Sequence, residues 1–208
     1  TKFNQKNYPF KSHIQTINGN NGESKLFIHS KVNNTKDKYL SLLCILTLTT
    51  MTSISLKTIE QNDNVGMFSI CFDGNEESEF EKFLNEFKDN ATYNKDFNVI
   101  LLALSKIIDK GALERFFRNE GKMNDSVKAL AIDSRKLRLY CLRISDQILI
   151  LGNGGVKTTR TYQENEQLSG YVMDLQTFDK VLIKAQKAGR VTIEKNMITD
   201  IQSATFEI

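Results

Sequence analysis

Apolar residues between Met51 and Ile208 recur at two spacings, and these spacings predict which segments are strands and which are helices. Short runs rich in β-branched and aromatic residues predict strands. They lie at 54–59, 66–72, 127–132, 137–144 and 147–151. Apolar positions three or four residues apart predict helices at 76–87, 94–110 and 172–189. The pattern therefore predicts an α+β domain in which an N-terminal strand and a two-helix hairpin pack on a small antiparallel sheet, with an added C-terminal helix.

The first fifty residues differ in composition from the rest of the chain. Residues 1–38 are rich in asparagine and lack a sustained apolar period, which is typical of a disordered or weakly ordered segment. An uncharged apolar stretch follows at 39–56, but its many threonines and serines weaken it as a membrane span. We expect residues 1–50 to be an extension upstream of a single domain at 51–208, in a cytoplasmic protein without stable membrane association. A secreted or membrane-anchored protein directed by residues 39–56 is the alternative.

Charge is distributed unevenly along the domain. Residues 60–96 carry ten Asp or Glu against three Lys, whereas residues 111–160 carry ten Lys or Arg against five acids. The two segments therefore have net charges of −7 (3 − 10) and +5 (10 − 5). Such polarity favours one surface that attracts nucleic acid and another that attracts a basic partner.

The cysteines and histidines exclude several kinds of site. The three cysteines are far apart and form no CxxC pattern, which argues against a disulfide framework or a structural zinc site and favours a reducing compartment. Both histidines, His13 and His29, precede Met51. A Ser-His-Asp or Cys-His arrangement therefore cannot form within 51–208, nor can a histidine-bearing metal centre. We expect no metal and no cofactor, so any catalysis there must rely on Lys, Arg, Tyr or carboxylates.

The densest group of cations lies in segment 134–160, which we call the cationic hairpin. Its two apolar runs, separated by Ser145 and Asp146, predict an antiparallel hairpin of half-buried strands. Gly152, Gly154 and Gly155 predict a turn that delivers the following residues to the end of the second strand. Six cations accompany a single acid in this segment: Arg135, Lys136, Arg138, Arg143, Lys157 and Arg160. The pattern favours an anionic ligand, and an ordinary solvated hairpin is the alternative.

The cationic hairpin resembles part of the RelE/HigB-like toxins of type II toxin–antitoxin modules, in the RelE/ParE superfamily. The run LRLYCLRI at 137–144 is similar to the family's LYELR-type strand, and ILILGNGGVKTTR at 148–160 is similar to its later strand with a GG-x-K-[ST] signature. The resemblance covers about residues 64–165 and includes the order of a strand, a helical hairpin and a basic antiparallel sheet. Cys141 replaces the family's glutamate, and only 145–147 separate the two runs, where the family has a further strand.

The resemblance implies a ribonuclease site that needs no histidine. The ribose 2′-hydroxyl is the nucleophile of such a reaction, so the protein orients it, moves a proton and stabilises charge on the phosphate. The implied catalytic residues are Arg143, Lys157, Arg160 and Tyr140. The arginines suit bidentate phosphate contacts and the lysine adds a point charge, while Tyr140 or Tyr162 stacks on a base or helps to move the proton. Further RNA contacts are expected from Arg118, Arg135, Lys136, Arg138, Thr158 and Thr159.

Two functional hypotheses follow from these observations. In the first, the chain is the toxin of a type II toxin–antitoxin module and a possible endoribonuclease that cleaves mRNA at the ribosome. A cognate antitoxin, for example of the helix-turn-helix type, would then cover the cationic hairpin. In the second, the chain is a non-enzymatic binding module of the same fold that holds nucleic acid or a protein target. Binding without cleavage that weakens steeply with salt favours the second hypothesis.

Overall fold

The computed structural model describes residues 53–72, 74–119, 126–132 and 136–199, and also the backbone of strands at 12–18, 24–30 and 206–207. The chain divides into two units, Thr1–Thr50 and Met51–Ile208.

The first unit contains a pair of strands that the composition did not predict. Strands β1 (Ser12–Asn18) and β2 (Ser24–Ser30) pair in the antiparallel direction. Residues 39–52 of the apolar stretch at 39–56 lie outside the described residues. Its last four residues, 53–56, begin the first strand of the second unit.

In the part of the second unit that the structure describes, seven strands form one mixed sheet. They are β3 (Ser53–Gln61), β4 (Gly66–Phe72), β5 (Phe117–Asn119), β6 (Val127–Leu130), β7 (Leu137–Arg143), β8 (Ile148–Val156) and β11 (Phe206–Glu207). Their spatial order is β11-β3-β4-β8-β7-β6-β5. All neighbours are antiparallel except β4 and β8, which are parallel. Two short strands, β9 (Thr192–Glu194) and β10 (Met197–Thr199), form a separate hairpin.

The described residues of the second unit also form three α-helices: α1 (Glu79–Phe87), α2 (Asn94–Lys110) and α3 (Glu166–Lys187). Helix α1 begins at a capping box formed by Ser78 and Glu81. Burial acts to raise the pKa of the Glu81 carboxyl, but hydrogen bonds from Lys57 and Ser78 outweigh it and lower that pKa. The charged carboxylate therefore stays beside the positive end of the α1 dipole. Helix α3 begins at Asn165, whose side chain accepts a hydrogen bond from the backbone N–H of Leu168.

Helices cover the central strands of the sheet on both faces. On one face, Phe83 of α1 and Ile107 of α2 pack with apolar residues of β7 and β8. On the other face, Leu175 and Phe178 of α3 pack against the same two strands. The predicted α+β class is confirmed, but the sheet has seven strands and α3 forms a whole third layer. The strands of the cationic hairpin, expected to be half-buried, are instead covered on both faces because α3 packs on the second face.

The three glycines that predicted a turn lie instead inside strand β8. A Cβ atom on Gly154 would come within 2.1 Å of the Arg138 carbonyl oxygen on the neighbouring strand. A Cβ atom on Gly152 would lie 2.7 Å from a methyl carbon of Leu175, and one on Gly155 would lie 3.2 Å from a methyl carbon of Leu168. The glycines thus permit close approach of β7 on one side and of α3 above.

Replacing Gly154 by alanine should lower the free energy of unfolding by about 1–3 kcal/mol, because the added methyl group overlaps a backbone carbonyl that cannot move freely. Gly170 provides the matched control, since it lies in α3 and a Cβ atom there meets nothing within 4 Å. Gly170→Ala should raise the free energy of unfolding by roughly 0.5–1 kcal/mol through helix propensity. Urea unfolding measures both changes, and an unaltered stability of Gly154→Ala would contradict the close strand approach.

Candidate nucleic-acid interface

The cations of the cationic hairpin lie at two opposite ends of strands β7 and β8. In the antiparallel register, Arg143 pairs with Leu149 near the connecting turn, and Leu137 pairs with Val156 at the far end. Lys157 follows Val156 directly. At roughly 3.4 Å per residue, the six steps from 137 to 143 separate these ends by about 20 Å. The expectation that Arg143 and Lys157 share one phosphate-binding patch is therefore wrong.

Arg143 is part of a polar network that joins the β7–β8 turn to the end of helix α2. Its Nε atom donates a hydrogen bond to the carbonyl oxygen of Ala112 at 2.7 Å. Its two terminal nitrogens form ion pairs, one with Glu114 at 3.0 Å and one with Asp146. The backbone N–H of Ala112 in turn donates to the Asp146 carbonyl oxygen at 2.6 Å. All three guanidinium nitrogens of Arg143 are engaged, so this side chain stabilises the fold at this end.

Arg143→Ala should lower the free energy of unfolding by about 1–3 kcal/mol, because the buried Ala112 carbonyl loses its side-chain donor. Arg160, an exposed arginine, provides the control. Its replacement by alanine should change stability by no more than about 0.5 kcal/mol. Chemical unfolding measures both variants. If the Arg143→Ala protein were as stable as the parent protein but no longer bound RNA, Arg143 would belong to the interface after all.

Tyr140 and Arg138 lie on the face of β7 that α3 covers. Tyr140 is 1 % exposed, and its ring meets the buried ring of Tyr162 edge-on with 6.2 Å between centroids. Arg138 is also buried, and its Nη1 atom donates to the carbonyl oxygen of Leu137 at 2.8 Å. Neither tyrosine presents an open ring face for a base, and Arg138 has no route to a phosphate. The structure therefore contradicts the expected contacts of Tyr140 and Arg138 with RNA, because both side chains are buried where α3 packs on β7.

One other expected RNA contact, Arg118, lies away from this region. Arg118 is half-buried on the outer strand β5, where it pairs with Ala129 of β6. Two strands separate it from β8. Arg135 lies outside the described residues.

The far end of the cationic hairpin keeps the remaining cations together. We call it the basic end; its residues are Lys136, Lys157, Thr158, Thr159 and Arg160. The backbone N–H of Lys157 donates to the carbonyl oxygen of Lys136 at 2.6 Å, which sets the two lysines side by side. Arg160 is exposed three residues further on. In the described part of the chain, no carboxylate forms an ion pair with either lysine or with Arg160.

The N-termini of two helices flank the basic end. The backbone N–H of Lys136 donates to Asp96 in the first turn of α2 at 3.2 Å. Asn165, the residue that caps α3, donates through its side-chain amide to the hydroxyl of Thr158 at 3.3 Å. The hydroxyl of Thr159 donates to the carbonyl oxygen of Thr161 at 2.7 Å. Helix N-termini carry partial positive charge, so their dipoles add to the field of the cations. Asp96 in α2 and Glu166 in α3 each place one carboxylate in the first turn and offset part of that field.

A polar cluster that the sequence did not reveal lies between α1, β8 and α3. The Glu79 carboxylate accepts hydrogen bonds from Asn153 at 2.8 Å and from Lys82 at 2.6 Å. Burial and the charge of Glu79 raise the pKa of the nearby Asp174 carboxyl. Burial also raises the pKa of the Tyr171 hydroxyl, whose oxygen accepts a hydrogen bond from Gln167. Asn153 belongs to the glycine run that predicted a turn. Its contact with Glu79 could therefore not be predicted from the sequence.

Comparison of the chain with protein-family models, with curated proteins and with solved structures returned no match. Among the described residues, no helix combines the length and apolar character needed to cross a membrane. Nor do three His, Cys, Asp or Glu side chains of that part of the chain come together as a metal site.

Proposed function

We propose that this protein binds the phosphate backbone of a nucleic acid at its basic end and acts as a binding module. The observation that supports the proposal is the side-by-side placement of Lys136 and Lys157, with the exposed Arg160 beyond them, between two helix N-termini. An anion at this position would be attracted by the cations and by two helix dipoles, opposed in part by the Asp96 carboxylate in the first turn of α2. One described carboxylate, that of Asp96, lies at this end and accepts a hydrogen bond from the backbone N–H of Lys136. It forms no ion pair with the side chain of Lys136, Lys157 or Arg160.

The residue types at the basic end suit the anionic oxygens of a phosphodiester. Arg160 offers a planar fork for two oxygens of one phosphate, whereas the lysines act as adjustable point charges. Each phosphate that they neutralise releases counterions, so the binding constant should fall as salt is added. Such binding needs neither an enclosed pocket nor a histidine.

A second proposal is the RelE/HigB-like toxin that cleaves mRNA at the ribosome. The order of the elements favours it: a strand, a helical hairpin and then an antiparallel run of strands follow one another in the second unit. The chemistry would then rest on Lys157 and Arg160, with Lys136 beside them, while Arg143 and Tyr140 would only support the sheet. The cognate antitoxin, for example of the helix-turn-helix type, would have to cover the basic end in order to block mRNA.

The double variant Lys157→Gln/Arg160→Gln should weaken RNA binding by the full-length protein and reduce its salt dependence. Loss of two phosphate contacts should lower the slope of log K against log salt by roughly 1.4, at about 0.7 per phosphate of a single strand. Fluorescence anisotropy with a labelled oligoribonucleotide at several salt concentrations measures this slope. Lys184→Gln/Arg190→Gln, a pair of exposed cations near the end of α3, removes the same charge and should leave the slope unchanged. Equal effects of the two double variants would contradict a localised site.

The parent protein and the two double variants also distinguish the binding-module hypothesis from the toxin hypothesis. RNA incubated with the parent protein, with and without ribosomes, should remain intact if the protein only binds. Ribosome-dependent cleavage that disappears in Lys157→Gln/Arg160→Gln and persists in the control pair would favour the toxin.

A further inference from the structure

We infer that the basic end binds single-stranded rather than double-stranded nucleic acid, with Tyr93 as the platform on which one base stacks. The inference rests on the proposed function and deepens it, because it names the form of nucleic acid. Tyr93 precedes helix α2, outside the segment that resembled a known toxin strand. It was not among the residues expected to contact RNA.

Tyr93 lies directly beside a proposed phosphate contact. The ammonium nitrogen of Lys136 is 5.9 Å from the centre of the Tyr93 ring. Lys136 is itself joined to Lys157 through a backbone hydrogen bond, so the aromatic ring and both lysines form one continuous patch. An aromatic ring bordered by cations that can reach phosphates is the usual composition of a single-strand binding surface.

The ring of Tyr93 is held in a fixed position. Its edge meets the buried ring of Phe87 at a centroid distance of 5.8 Å and an angle of 81°. Its backbone N–H donates to Asn90, and its carbonyl oxygen accepts from Phe97 in α2. Since the ring and its backbone are already ordered, stacking a base on it costs little further conformational entropy.

The other described tyrosines do not offer this arrangement. Tyr140 and Tyr162 are buried under α3 and pack on each other. Tyr171 is hydrogen-bonded to Gln167 on α3 and lies by the Glu79 carboxylate, which repels a phosphate. Among the described tyrosines, Tyr93 alone is partly exposed and in contact with a cation of the basic end.

A base and the Lys136 ammonium would exchange places when the strand binds. An ammonium over an exposed ring is held weakly, so an incoming base can displace it. The freed ammonium then reaches a phosphate next to the stacked base. In a duplex the base faces are hidden within the stack, and only the phosphates remain available to this patch. Stacking should therefore favour a single strand by about 5- to 150-fold for one base.

Replacement of Tyr93 tests the inference with the full-length protein. Binding of a labelled oligouridylate and of an RNA duplex of equal length is measured by anisotropy for the parent, Tyr93→Phe and Tyr93→Leu. Tyr93→Phe keeps the stacking face and should bind both RNAs like the parent. Tyr93→Leu should bind the single strand about 5- to 150-fold more weakly and the duplex equally well. Thermal unfolding of each variant identifies any loss that comes from misfolding.

A second measurement uses the unaltered protein, so the test does not depend on whether Tyr93→Leu folds. An oligouridylate with one internal 2-aminopurine should lose fluorescence at saturation, because stacking on the ring quenches this base. Unchanged emission, or equal single-strand affinity of Tyr93→Leu and the parent, overturns the stacking role. If Lys157→Gln/Arg160→Gln still weakens binding in that case, the proposed function stands without it. If that double variant binds like the parent, the proposed function itself has failed.

Discussion

The burial of strands β7 and β8 on both faces decides where the cations of this protein can lie. A charged side chain in the middle of such a strand must be paired or hydrogen-bonded under a helix, because burying an uncompensated charge is costly. Only the ends of the strands open to water. The helices α1, α2 and α3 thus divide a continuous basic segment of sequence into a buried middle and two separate ends.

The two ends have opposite physical characters. At the turn, Arg143 is tied to two carboxylates and a buried carbonyl, and it stabilises the junction between β7 and α2. At the basic end, the side chains of Lys136, Lys157 and Arg160 form no ion pair with a described carboxylate, and they lie beside two helix N-termini. The contrast explains why the same residue types, a few positions apart in sequence, are assigned different roles. The arginine most similar to a family motif supports the fold, and the proposed interaction rests on Lys136, Lys157 and Arg160 instead.

Much of the fold could be predicted from local pattern. The helix expected at 94–110 and the strand expected at 66–72 agree with α2 and β4, since their apolar periods are long and end at clear stop signals. The turn predicted from the glycine run was wrong, because glycine occurs both in turns and in strands that another chain segment approaches closely. Gly154 and Gly152 are explained only once Arg138 and Leu175 are in place.

The candidate site was harder to predict, for a related reason. The sequence shows that Lys136, Arg143 and Lys157 are near one another along a hairpin, but not which face α3 covers. Once that face is covered, Tyr140 becomes a core residue and the cations separate. Tyr93 could not be found by motif, because its proximity to Lys136 depends on how α2 packs against the sheet. Residues that meet through the packing of distant segments leave no local signal.

The central claim is that one end of the β7–β8 pair receives nucleic acid while the other end only supports the fold. Amide chemical-shift mapping during titration of the full-length protein with a short single-stranded oligonucleotide tests it most directly. The account predicts that the amide signals of Lys136 and of residues 157–160 shift progressively, and that those of residues 143–147 stay in place. Shifts concentrated at 143–147, with the signals of 136 and 157–160 unmoved, would contradict it.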